Sequence, residues 1–98
     1  MVVDKKVENN VVTLKISGRV DTTTAPEFEV IMDECVVGLE KLILDCNEME
    51  YISSAGLRVI LKVQKLMNKQ GEMKLINVNE TIMEVFDITG FADILTIE

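Results

Sequence analysis

Strands that alternate apolar with polar residues, amphipathic helical segments interleaved with them, and a length of 98 residues predict a single α/β domain. Its mixed, mostly parallel sheet carries the helices on one face. A chain this short has room for one hydrophobic core, so residues 1–98 are read as one domain.

The elements follow in order. Val3 to Val7 and Val11 to Ser17 flank Asn9-Asn10, a pair suited to the positive φ of a tight turn, and form a hairpin. Thr24-Ala25-Pro26-Glu27 resembles a capping box with an early proline. Phe28, Ile31, Met32 and Cys35 then recur at helical spacing, giving a first helix that ends near Gly38. Lys41 to Cys46 is a short β-prone run, and Asn47 to Ser53 reads as a loop. A second helix extends from about Ser54 to Gln70 and is closed by Gly71. Glu72 to Val78 is the next strand, Asn79 caps a third helix carrying Ile82, Val85 and Phe86, and Gly90 stops it. Asp93 to Ile97 supplies a last strand. The predicted order is β-β-α-β-α-β-α-β.

Strands joined through helices pair in parallel by right-handed crossovers, so only the first strand should run antiparallel to its neighbour. Val12, Leu14 and Ile16 alternate with Thr13, Lys15 and Ser17, and Leu42 and Leu44 alternate with Lys41 and Asp45. A sheet covered on both faces would have nearly continuous apolar strands, so the helices are placed on one face and the other is partly wet. Ile43, Ile76 and Leu95 or Ile97 fall on the wetter face as a modest apolar patch, compatible with a monomer or a weak dimer.

Composition narrows the function. Ten basic against seventeen acidic residues leave a net charge of -7, which removes the electrostatic attraction on which nucleic-acid binding depends. The absence of histidine takes away the commonest general base and most catalytic zinc sites, so no catalytic residue, metal or cofactor is expected. Cys35 and Cys46 are too far apart for a metal knuckle or a redox motif and read as buried thiols. With no long apolar segment and no cleavable leader pattern, the expected location is cytoplasmic, away from the membrane.

The informative segment is Asp45 to Arg58, in which a strand ends and two serines open a helix. Serine there has a plain structural role, accepting a backbone N–H of the first turn for about 1 kcal/mol. Gly56 costs roughly 1 kcal/mol against alanine inside a helix, and either core packing or close approach of a partner would explain it. Arg58 stands four residues after Ser54, on the same helical face, where it can meet charge placed on that serine. Its alternative is a solvated position shared with Lys62 and Lys65.

Ser17-Gly18-Arg19-Val20-Asp21-Thr22-Thr23-Thr24-Ala25-Pro26 followed by Tyr51-Ile52-Ser53-Ser54-Ala55-Gly56-Leu57-Arg58 resembles the STAS domain, the fold of bacterial anti-sigma factor antagonists. The likeness spans essentially the whole chain. In that family the loop before the second helix commonly reads aspartate, serine, serine or threonine, glycine, leucine. The serine after the aspartate is phosphorylated by a kinase that is itself the anti-sigma factor. The resemblance implies that Ser54 is the phosphoacceptor, with Ser53 as the alternative, and that Asp21, Thr22, Thr23, Ser53, Gly56, Leu57 and Arg58 bind the partner. The implied partners are an anti-sigma factor serine kinase and a phosphoserine phosphatase. Ser53 departs from the family pattern, standing where aspartate is usual, and Ala55 replaces a hydroxyl residue. The alternative function is a constitutive STAS binding or scaffold module, holding a nucleotide or other ligand or joining a larger sensory or transport complex. An aspartyl-phosphate receiver is disfavoured, because Asp45 at a strand end has no acidic companion.

Overall fold

The computed structural model describes residues 1–98. Strand β1 (Val2–Glu8) turns at Asn9, whose φ of 54° fits the expected tight turn, into β2 (Val11–Val20). Helix α1 (Ala25–Cys35), strands β3 (Lys41–Asp45) and β4 (Met49–Ile52), helix α2 (Ser54–Gln70), strand β5 (Glu72–Ile76) and helix α3 (Glu80–Thr89) follow, and a 3-10 turn spans Phe91–Asp93. In the sheet β1 is antiparallel to β2, whereas β2 with β3, β2 with β4 and β3 with β5 are parallel. The ends of β2, β4 and β5 that lead into the three helices therefore lie at one end of the sheet.

Burial follows the strand period. Leu14, Ile16, Leu42, Leu44 and Leu75 are inaccessible and pack with Phe28, Met32, Ile60, Val63, Ile82 and Phe86 from the helices. Their strand neighbours Thr13, Lys15, Ile43, Asp45 and Lys74 are only partly covered. The one-sided sheet is as expected. Ile43 is flanked across the sheet by Thr13 and Lys74, and Ile76 by Asp45, so polar neighbours interrupt the apolar positions of the open face. Of the alternatives Leu95 or Ile97, Leu95 lies in the core at 6% exposure and Ile97 is partly buried against that core. Both cysteines are free and buried, and burial, with the Asp45 carboxylate beside it, pushes the Cys46 thiol up to about 12.

Four differences from expectation have identifiable causes. Residues 49–52, read as loop, form β4, which pairs with the end of β2 after a register shift between Gly18 and Arg19. Gly18, at φ 86°, takes the positive φ there, and β2 runs on to Val20, past its expected end at Ser17. The strand expected at 93–97 is reduced to a single bridge, Leu75 to Ile97, because residues 91–93 are used to reverse direction after α3. The first helix stops at Cys35, and Gly38 (φ 66°) serves the following turn. The expected capping box at Thr24 is not made, since the Thr24 hydroxyl accepts from Asp21 N at 2.8 Å and donates to the Arg19 carbonyl at 3.0 Å.

Candidate functional site

The two serines differ. Ser53 is extended (φ -88°, ψ 172°) and its Oγ accepts from Gly56 N at 3.3 Å, so it is the N-cap of α2. Its own N–H donates to the Val20 carbonyl at 2.8 Å, tying the helix start to the end of β2, and only 9% of the residue is exposed. Ser54 is the first helical residue and is exposed. One hydroxyl is committed to structure and the other faces solvent.

Gly56 has a packing explanation. A Cβ there would lie 2.8 Å from Val20 Cγ1 and 2.9 Å from Ile52 Cγ1, closer than carbon atoms tolerate, so α2 seats directly on β2 and β4. Of the two reasons left open for this glycine, core packing is the one with contacts in the structure. Leu57 is likewise buried. Ser53, Gly56 and Leu57 thus support the site from beneath, while Thr22, Thr23, Ser54 and Arg58 are exposed and Asp21 is half-buried.

Asp21 organises its own loop. Its Oδ1 accepts from Thr23 N and Thr24 N, both at 3.0 Å, and its Oδ2 lies 3.8 Å from Arg19 Nε. The Thr24 N–H, with help from Thr23 N–H, the Thr24 hydroxyl and Arg19, holds this carboxyl below its ordinary pKa against the opposing effect of desolvation. Asp21 therefore acts first as the brace that shapes Thr22 and Thr23. Arg19 also stacks over Tyr51, with its guanidinium carbon 4.3 Å from the ring centroid.

The starts of α1 and α2 bound a shallow groove of about 410 Å³ lined by Thr22, Ala25, Pro26, Glu29, Ala55, Arg58, Val59 and Lys62. Lys62 Nζ reaches Glu29 Oε2 at 2.8 Å and Asp33 Oδ1 at 3.0 Å, bridging the two helices. Arg58, the other cation of the groove, forms no salt bridge. Sequence reasoning missed the α1 side of the groove. Pro26 and Glu29 carry no motif of their own and enter only because α1 packs beside α2. A second hollow of about 460 Å³ at the start of α3 is lined by Asn47, Glu48, Met49, Glu50, Asn79, Glu80 and Thr81.

The groups offered are an exposed hydroxyl, a free guanidinium and a braced loop. A serine hydroxyl without a neighbouring base is a weak nucleophile, so the site is equipped to receive a group or a partner. No helix is long and apolar enough to cross a membrane.

The comparisons agree with one another. A family model described as STAS domain matches residues 2–98. The chain is 34% identical over 99 residues to the anti-sigma-B factor antagonist of Bacillus subtilis, covering 97% of this chain and 88% of that protein. It is 30% identical to the anti-sigma F factor antagonist of Paenibacillus polymyxa, over 97% of this chain and 84% of the relative. Among solved structures, an anti-sigma factor antagonist from Mycobacterium paratuberculosis superposes with a TM-score of 0.89 at 18% identity, covering 98% of this chain and 83% of that one. The Bacillus cell fate determinant SpoIIAA in its phosphorylated form superposes with a TM-score of 0.76 at 15% identity, covering 99% and 91%. At these identities the two structures bear on the fold alone.

Proposed function

The chain belongs to the STAS-domain family, and from that premise we propose that it is an anti-sigma factor antagonist whose grip on its partner is set by phosphorylation of Ser54. It acts by binding and is not itself an enzyme. The observation that carries the reading is the division of labour between the two serines. Ser53 is buried as the helix cap, and Ser54 stands exposed at the first turn of α2. The names of its relatives support the partner class.

The partner kinase supplies the chemistry, because no base stands ready in this chain. The γ-phosphorus of ATP bonds to Ser54 Oγ, its bond to the β–γ bridging oxygen breaks, ADP leaves, and the hydroxyl proton passes to a base on the kinase. The product carries about -1.5 to -2 charges, which the free N–H groups and positive dipole end of α2 accommodate, so the domain stays folded. In an interface the same charge is costly to desolvate, and binding is lost without a large rearrangement. The unmodified domain binds the anti-sigma factor through Asp21 to Thr23 and the exposed face of α2. A phosphatase restores it, and a cytoplasmic place of action follows from the transcriptional partner.

Intact-mass analysis after incubation with ATP and the candidate kinase tests this. Wild type and Ser53→Ala should gain one phosphate and Ser54→Ala none, and Ser54→Asp should bind the kinase far more weakly than wild type. Ser53 in place of the family's aspartate favours a second reading, a constitutive binding module. No gain of mass with an active kinase would select it.

A further inference from the structure

Three charged residues line the groove between α1 and α2, and their states differ. Glu29 and Lys62 neutralise each other, with Asp33 as a second acceptor for Lys62. Arg19, the cation at the end of β2, is held between Asp21 and the Tyr51 ring. Arg58 is exposed and has no anionic partner. The first turn of α2 contains no acidic residue, and its cap, Ser53, is neutral, so nothing at this helix start competes for that guanidinium.

Resting on the reading of Ser54 as phosphoacceptor, we propose that Arg58 is the intramolecular receiver of the Ser54 phosphate, and that modification acts by withdrawing the groove's only free cation. Residues four apart on a helix have Cβ atoms about 5–6 Å from each other, and an anion N-terminal to a cation is the favourable order. A guanidinium presents two parallel N–H donors to phosphate oxygens. The other cations near the site are spent on Glu29, Asp33 and Asp21, so the phosphate turns to Arg58. The Ser54 and Arg58 pair at the start of α2 changes from one free positive charge to a net negative charge of about 0.5 to 1. A partner carboxylate that could pair with Arg58 before modification meets repulsion after it.

The test needs no kinase. Phosphoserine is encoded genetically at position 54, and the phosphate is titrated by 31P NMR in the otherwise wild-type chain, in Arg58→Gln, in Arg58→Lys and in Lys62→Gln. The second phosphate pKa is expected about 0.3 lower in wild type than in Arg58→Gln, a twofold effect on proton affinity of the size of a helical ion pair. Arg58→Lys should restore part of the shift and Lys62→Gln should leave it in place. Coincident curves for wild type and Arg58→Gln overturn the proposal, and so does an equal change in Lys62→Gln, which would mark a general field. Because the phosphate is installed without an enzyme, a kinase that fails to modify Ser54 refutes the switch and leaves this result standing. A modified chain with coincident curves refutes only the role of Arg58.

Discussion

Helices α2 and α3 begin at the same end of the sheet with the same local device and opposite electrostatics. Each is preceded by an extended polar residue that accepts a first-turn N–H: Ser53 from Gly56 N at 3.3 Å, and Asn79 from Ile82 N at 3.0 Å. Around α3 the positive end of the helix is already answered by Glu80 in its first turn, and Glu48 and Glu50 share its hollow. Around α2 there is no acid in the first turn, the cap is neutral, and the Arg58 guanidinium has no anionic partner. An added phosphate would be one more anion among carboxylates at α3, and the first at α2. On the proposed reading of Ser54, the charges left around a helix start, and not the N-terminus alone, distinguish α2 from α3 as the place for a phosphate.

The two starts are also anchored differently, and the largest expected effect comes from breaking the α2 anchor. Gly56→Val drives carbon into space held by Val20 and Ile52 and should cost about 3 kcal/mol in denaturant unfolding, at the upper end of overpacking. At α3 the anchor is polar. The Asn79 side chain caps the helix and also donates to the Met49 carbonyl at 2.8 Å and the Cys46 carbonyl at 3.3 Å, clamping the break between β3 and β4. Asn79→Ala should therefore lose about 2 kcal/mol, against about 1 kcal/mol for Ser53→Ala, which removes a cap alone. Equal losses in the same unfolding assay would mean that the Asn79 clamp on β4 contributes nothing.

The smallest effect lies in the loop that faces α2. Asp21 has its folded pKa depressed by its N–H donors, so its contribution to stability is present above the unfolded value and fades as pH falls through the folded one. The change is confined to the acid side, below about pH 4. A carboxyl 13C titration should find Asp21 below the ordinary aspartate range, and Asp21→Asn should flatten the acid limb of stability against pH. A titration in the ordinary range would mean that the Thr23 and Thr24 N–H groups do not brace the loop in solution.

What the sequence determined by itself was local and periodic. The alternation of β2 and β3 placed the helices on one face, the capping residue and Gly71 bounded α2 at Ser54 and Gln70, and Asn79 and Gly90 bounded α3. In each case the signal lies within one turn or one strand. Only the tertiary structure decided matters that depend on residues brought together from afar. Strand β4 is four residues long and exists because the end of β2 offers it a pairing partner, which no local preference of Met-Glu-Tyr-Ile announces. Thr24 looked like a helix cap, yet its hydroxyl is consumed by Asp21 and Arg19, because the loop could close on a better partner than the helix. Gly56 was ambiguous until Val20 and Ile52 were seen beneath it. That Arg58 is the unpaired charge of its groove followed only once Glu29 and Asp33, some thirty positions earlier in the chain, had been found to take Lys62. Hydrophobic period and capping act between neighbours in sequence, whereas ion pairing and close packing act between neighbours in space.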